Sequence, residues 1–314
     1  MLRGRHLVVT GGAGFIGSHL CDALIALGAE VTCVDSLVGC AGSTRNVEHL
    51  RGSRGFELVV EDVLDWAGRA SLRDTHCVFH LAASKMSASL DDPERDLAVN
   101  ALASLRLVQA AARDGVRKFV HGSTGSVYGR VAQRHDSATP TVPISYYGVS
   151  KLAGESYCRV VAEMAGMDCT VLRFYHVIGP RQDSSERGGV VAIFARQALS
   201  GETITIDGDG EQTRSFTSVH DIVRANIAAA ESELARGTLS CASGLRVSIR
   251  ELADFVIAET RSRSAIRHGP QRPGDVRSFD VDAGELRSLG IEPSTDWRAM
   301  VRDVVAEHVE RRAA

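Results

Sequence analysis

The sequence predicts a doubly wound, parallel α/β sheet joined to a smaller, interleaved C-terminal α/β lobe, and three observations predict it. Short apolar runs alternate with amphipathic helical stretches through the first 174 residues. A glycine-rich turn links the first apolar run to the first helix. Past residue 174 the alternation loosens into glycine-rich loops and more widely spaced helices. Regular alternation favours parallel strands, because each return to the sheet needs a long crossover that a helix supplies.

The first element is His6-Leu7-Val8-Val9-Thr10, short and apolar enough for a strand buried on both faces. It feeds Gly11-Gly12-Ala13-Gly14-Phe15-Ile16-Gly17, then a helix to about residue 27, then a second apolar run over 30–34 that ends at Asp35. Gly11, Gly14 and Gly17 follow a Gly-xx-Gly-xx-Gly spacing. Such a turn must be tight, must admit a pyrophosphate close to the backbone, and must let helix and strand pack closely. The phosphates then meet the helix N-terminus, whose unpaired N–H groups and dipole favour anions. Asp35 stands where an acid accepts hydrogen bonds from an adenosine ribose and repels a 2′-phosphate, so the expected cofactor is NAD rather than NADP.

Further strands are expected at 56–60, 77–81, 118–121 and 169–174, with helices at 93–114 and 146–165. Asp62 and Val63 follow one strand and would lie near the adenine. Leu81, Ala82 and Ala83 end another and would line the middle of the cofactor. The second half offers Gly188-Gly189 before a helix, a run at 203–206, and helices near 221–234, 248–260 and 296–311. The division reads as a dinucleotide-binding unit over 1–174 and a smaller unit over 175–314 that covers the cleft, with interleaved boundaries.

Composition sets the outer limits. With 44% hydrophobic and 24% charged residues, the 314-residue chain is of ordinary globular make-up. A net charge of −3 gives no electrostatic reason to expect nucleic-acid or membrane partners. Seven cysteines without paired metal spacing read as reduced thiols, and the first strand begins at residue 6. No apolar run nears 18 residues, so the expectation is a cytoplasmic protein. Among 36 Lys+Arg residues only Lys85, Lys118 and Lys151 are lysines. Lys151 follows Tyr147 by four, one helical turn, which puts an ammonium beside a phenol and favours the phenolate.

Several segments together resemble the extended short-chain dehydrogenase/reductases of the nucleotide-sugar epimerase/dehydratase family, from about residue 5 to 310. They are the glycine turn at 10–17, Asp35, Gly122-Ser123-Thr124-Gly125-Ser126-Val127-Tyr128-Gly129, Tyr147-xxx-Lys151, the 173–180 segment ending Gly179-Pro180, the 207–216 segment, and Arg272-Pro273-Gly274-Asp275. The resemblance implies that Thr124, Tyr147 and Lys151 are catalytic, with Tyr147 as general base. It implies that Lys151 also holds the nicotinamide ribose. Lys85 and Asn100 would stand beside the cofactor, and Lys85 would face the substrate as well, although it also fits a solvated lysine. Ser126, Val190, Arg214 and Arg272 would face the substrate, the arginines through their forked donors on a pyrophosphate. His176 would either donate to substrate or pack in the cleft, and Lys118 reads as structural.

Departures from family patterns narrow the expected reaction. Dehydratases of the family carry Asp-Glu after the catalytic Thr, and decarboxylases carry Glu two before the Tyr-Gly. Here Gly125-Ser126 and Ser126 stand in those places. Asp183 occupies the region where glucuronate epimerases place an Arg. The resemblance therefore points to a 4-epimerase of a neutral nucleotide-hexose, with UDP as the usual nucleotide and dTDP as an alternative. Phe279 either excludes acetamido sugars by its bulk or is ordinary core. A dehydratase with a displaced acid, a decarboxylase, a 4-ketoreductase and a non-catalytic dinucleotide sensor remain alternatives. A homodimer through the helices at 93–114 and 146–165, with Leu97, Leu105, Val108, Val160 and Val161 as candidate contacts, is implied by the family alone.

Overall fold

The computed structural model describes residues 1–38, 43–131, 134–186, 188–232, 236–271 and 276–313. Six strands alternate with helices in the first half: β1 (His6–Thr10), β2 (Glu30–Asp35), β3 (Phe56–Val60), β4 (Thr75–His80), β5 (Lys118–Thr124) and β6 (Asp168–Phe174). Their order in the sheet is 3-2-1-4-5-6, and the Gly237–Cys241 strand adds to the outer edge of β6. Every pairing in this seven-stranded sheet is parallel. The chain reverses its direction of travel across the sheet between β1 and β4, and the crevice at such a point is where ligands bind.

Successive strand residues point to opposite faces, and both faces are covered. Val9, Cys33, Phe79 and Val120 face α1 (Phe15–Ala26) and a later helix at Val219–Glu231, meeting Leu20, Leu24, Ile222 and Ala225. Their neighbours Val8, Val34, Val78 and Phe119 face the other side. There they meet α2 (Val63–Arg69), α3 (Met86–Asp91), α4 (Pro93–Leu97), α5 (Ala103–Arg113) and α6 (Tyr146–Ala165) as a layer, with Ala67, Leu107, Val108 and Cys158 in the contact. The expected helix at 93–114 is interrupted by a π-helical turn at Ala98–Leu102.

The second lobe has its own core. Ile204, Ile206, Phe216 and Val247 are enclosed by helices Val190–Ser200, Ile249–Glu259 and Trp297–Ala313. The lobes interleave, because Gly237–Cys241 and Val219–Glu231 return to the large sheet after the first part of the small lobe is built. Six of the cysteines are described, and all six are free. No described helix is long and apolar enough to cross a membrane.

One buried ion pair links β5, β6 and α6. Glu155 on α6 accepts from Arg173 on β6 at 2.7 and 3.0 Å and from Ser123 on β5 at 2.5 Å. The side chains are 0% and 3% exposed. Arg173 also donates to the Tyr128 hydroxyl at 2.7 Å. Burial alone would lower the guanidinium pKa, but Glu155 and Tyr128 more than offset this and raise it. Arg173→Met leaves the Glu155 charge without a partner and should cost about 3–5 kcal/mol in urea-unfolding stability. A loss under about 1 kcal/mol would show that the pair does not brace the sheet.

Candidate active site

The C-terminal ends of the parallel strands open into a cleft of about 1,080 Å³ between the lobes. That volume is at the upper end of the roughly 300–1,000 Å³ usual for one ligand. Gly11, Gly14, Phe15, Ile16, Gly17, Asp35, Asp62, Val63, Leu81, Ala82 and Ala83 all line it. Lys85, Tyr147, Lys151, His176, Val190 and Arg214 line it as well.

The floor of the cleft fits a dinucleotide. Gly11 has φ +69°, and a Cβ there would lie 2.7 Å from the Ala82 amide nitrogen. A Cβ on Gly17 would lie 2.1 Å from the Gly11 carbonyl oxygen, so helix and turn touch backbone to backbone. Gly14 caps α1 without a side-chain hydrogen bond, which leaves N–H groups of the first turn for an anion. Asp35 is held at the end of β2 by amides of Ala13 (3.1 Å) and Leu37 (2.9 Å). Burial raises its carboxyl pKa, and those amide bonds oppose the rise. Asp62 caps α2 through the Leu64 amide and pairs with Arg95.

The candidate catalytic groups are set by local structure. Ser145 caps α6 by accepting from the Gly148 amide at 3.1 Å, which places Tyr147 in the first turn and Lys151 one turn later. Tyr147 is half-buried, and burial first and the Asp96 charge second push its phenol up to about 12, against a hydrogen bond with Thr124. Burial, and not the Lys151 charge, thus dominates the phenol, which departs from the lowering expected of the Tyr-Lys pair. Lys151 is buried and donates to the Gly122 carbonyl at 2.7 Å. Burial lowers its pKa to about 8, while Glu155, Cys158 and Asp96 resist.

Thr124 does not line the cleft wall itself, but its hydroxyl donates to Ser126 Oγ at 3.2 Å and accepts from the Ser126 amide. Asn100 is buried behind the wall. It accepts from the Ser84 amide at 2.9 Å and donates to Asp96 and Ser150, so it braces the 82–85 segment against α6. Its position follows from the π-helical turn, where the Asn100 carbonyl comes so close to α6 that a Cβ on Gly154 would lie 2.4 Å away. Asp96, Ser150 and Glu155 were not singled out from sequence, and Asp183 was read only as standing where relatives acting on glucuronates place an Arg. Ser150 adjoins Lys151 and Glu155 follows it by four, which is the helical spacing that could have drawn notice.

On the substrate side, Arg214 anchors one guanidinium nitrogen on the carbonyls of Val276 (2.9 Å) and Thr213 (3.0 Å). Arg272 lies outside the described residues. His176 Nδ1 has no hydrogen-bond partner among the described residues. Burial first and Arg214 second hold the imidazole well below its ordinary pKa, hence neutral. Phe279 is buried in a cluster with Tyr128, Tyr175 and Val281, packs edge-on to Tyr175, and lies behind His176 rather than on the cleft wall. Lys85 pairs with Asp183 at 2.7 Å while its side chain stays 36% exposed. Lys118 is buried at the opposite end of β5, away from the cleft.

Residues 7–240 match the model of the NAD dependent epimerase/dehydratase family. UDP-glucose 4-epimerase of Mycolicibacterium smegmatis is 37% identical over 91% of this chain and 93% of its own length. The structure of UDP-N-acetylglucosamine 4-epimerase from Methanobrevibacter ruminantium, in complex with UDP-N-acetylmuramic acid, superposes with a TM-score of 0.91 at 32% identity, covering 98% of this chain and 99% of that one. The Thermus thermophilus UDP-glucose 4-epimerase complex with NAD gives a TM-score of 0.88 at 33% identity, covering 96% and 98%. Proteins named for UDP-glucuronic acid decarboxylation and UDP-glucuronic acid 4-epimerisation are also among its relatives. The glycine cradle, Asp35 and the Tyr147–Lys151 pair fit the cofactor of these enzymes, and the chain belongs to the NAD-dependent epimerase/dehydratase family, with NAD as its cofactor.

Proposed function

We propose that the chain is a 4-epimerase of a neutral nucleotide-hexose of the UDP-glucose/UDP-galactose type. The observation that carries this reading is the company of Thr124: its side-chain partners are the hydroxyls of Ser126 and Tyr147, not a carboxylic acid. Elimination of water needs an acid to protonate the leaving hydroxyl, whereas oxidation at a carbinol carbon needs from the protein only a base, the hydride going to the nicotinamide. Asp96 is near, but it is buried behind the wall and engaged by Ser150 and Asn100.

Bound NAD supplies reversible hydride transfer at the sugar C4. The residues supply the rest. Tyr147 takes the C4 hydroxyl proton and gives it back, so the same group serves both halves of the reaction. Thr124 shares the phenol's hydrogen bond and steadies it against the same sugar oxygen. Lys151, fixed by the Gly122 carbonyl, provides positive charge and a donor for the nicotinamide ribose. The Gly11–Gly17 turn and the first turn of α1 take the cofactor pyrophosphate, and Asp35 takes the adenosine ribose. Arg214 grips the substrate pyrophosphate, and the neutral His176 and Val190 stand beside the nucleotide-sugar. Held only by its pyrophosphate, the 4-keto sugar would be free to turn about that link and would offer either face to the cofactor.

We further propose a homodimer, in which α6 supplies the contact. Tyr146, Val149, Tyr157, Val160 and Met164 are exposed and fall on one helical stripe, with Leu97 and Leu102 exposed on the neighbouring helical segments. Of the other sequence candidates, Val108 is fully buried in the intrachain core, Val161 packs against that core, and Leu105 is half-buried.

Four outcomes test these readings. Incubation with UDP-glucose and no added cofactor should yield a galactose-configured anomeric proton signal at unchanged mass. Loss of water, loss of carbon dioxide or stoichiometric consumption of added NAD(P)H would each assign another reaction. Tyr147→Phe should lower kcat by about 10²–10⁴-fold while NAD still copurifies. The rate should climb with pH as Tyr147 loses its proton, and Lys151→Met should move that climb to higher pH because the favourable charge is gone. An unmoved pH profile of kcat would remove Lys151 from this role. Val160→Glu should give monomers by sedimentation velocity, and an unchanged sedimentation coefficient would reject the stripe as the contact.

A further inference from the structure

The Lys85–Asp183 pair crosses the cleft. Lys85 precedes α3 on the large-sheet side, and Asp183 stands in the loop before the Val190–Ser200 helix. Their 2.7 Å contact joins residues 98 positions apart, and both line the cleft. Asp183 is the fixed partner. Its carboxylate also accepts from the Ser185 amide at 2.9 Å and the Ser185 hydroxyl at 3.0 Å. Its carbonyl accepts from the Gly189 amide at 3.1 Å, and a Cβ on Gly188 would lie 1.9 Å from that carbonyl. The loop is therefore wound tightly on Asp183, whose side chain is 12% exposed against 36% for Lys85. The flexible lysine is drawn to a rigid acid.

We propose that Asp183 sets the class of sugar accepted, by holding Lys85 in a neutral pair and so withholding that ammonium from an anionic hexose. This deepens the proposed reading and rests on it. An ammonium facing the cleft attracts a carboxylate within about 4–6 Å, and a partner carboxylate at 2.7 Å cancels that attraction and repels a second acid. A neutral hexose loses nothing by the pairing, since its hydroxyls bind dipoles. Asp183 is thus a positioning residue, acting through Lys85, and the discrimination is carried by charge rather than by pocket volume.

The test compares the affinities of the NAD-loaded enzyme for UDP-glucose and UDP-glucuronate by titration calorimetry. Asp183→Asn should shift the ratio toward UDP-glucuronate by about tenfold or more, and added salt should shrink that gain. Asp183→Glu, which keeps the charge, should keep the wild-type ratio. Lys85→Met should shift the ratio the other way, and Lys85→Met with Asp183→Asn should lose the gain. An Asp183→Asn protein that binds both sugars more weakly by the same factor would make the pair a mere strap and overturn the proposal. So would a gain that survives removal of Lys85. Wild-type turnover of UDP-glucose checks the parent reading separately, because the ratio reports charge whichever neutral hexose is processed.

Discussion

The ion pair between Glu155 and Arg173 is the constraint on which the catalytic geometry depends. Thr124 ends β5, Tyr147 and Lys151 stand on α6, and Phe174 ends β6 at the cleft. Glu155 touches all three elements: it is itself on α6, it accepts from Ser123 next to Thr124, and it accepts from Arg173 next to Phe174. A buried ion pair adds little net stability over apolar packing of the same volume, but either partner left alone is costly. Such a pair therefore punishes any register in which α6 slides against the sheet. Arg173 extends the effect, since its guanidinium lies 4.7 Å over the Tyr128 ring and donates to its hydroxyl.

A second set of contacts holds α6 from its other side. Asp96, Asn100, Ser84 and Ser150 form a buried hydrogen-bonded group between the π-helical turn, the 82–85 segment and the catalytic helix. Each polar atom that could be stranded by close helix packing finds a partner there, which is the condition for burying such groups at all. The cleft wall at Ala82–Lys85 and α6 are thus joined by a continuous hydrogen-bonded group. The opposite wall comes from the small lobe, and the Lys85–Asp183 contact ties the two walls across the opening.

The large sheet was legible because its signals are local. Both-face burial makes the central strands apolar runs, and the glycine turn and the acid ending β2 have fixed spacings. The proposed trio Thr124, Tyr147 and Lys151 and the glycine turn on the cleft floor also rest on local spacings. What escaped depends on contacts between distant positions. Nothing local in Asp183 announces Lys85, 98 residues earlier, and the π-helical turn that aims Asn100 reads as plain helix. The strand Gly237–Cys241 joins the sheet after a long excursion, so no periodicity in its neighbourhood assigns it to the first lobe. Phe279 was placed near the substrate or in the core, and its packing against Tyr175 and Tyr128 puts it behind the wall. The phenol was expected low because its lysine was visible in sequence, whereas its burial and the Asp96 charge were not.

That last discrepancy explains how the fold and the chemistry oppose each other. Lys151 falls from 10.5 to about 8, so the unfolded chain binds the extra proton between those values. Its ammonium therefore costs the folded protein roughly 3 kcal/mol below pH 8, a cost relieved as pH rises toward 10.5. Tyr147 moves the other way, from 10 to about 12, so it costs nothing at neutral pH and takes stability away only between those values. The protein alone thus favours the neutral phenol, and Tyr147 becomes a base only where added positive charge outweighs burial and Asp96. Lys151 supplies that charge only while it keeps its proton against burial, and Glu155 heads the charges that help it do so. The same carboxylate that locks α6 to the sheet also keeps the ammonium charged, so geometry and electrostatics at Tyr147 stand or fall on one buried residue.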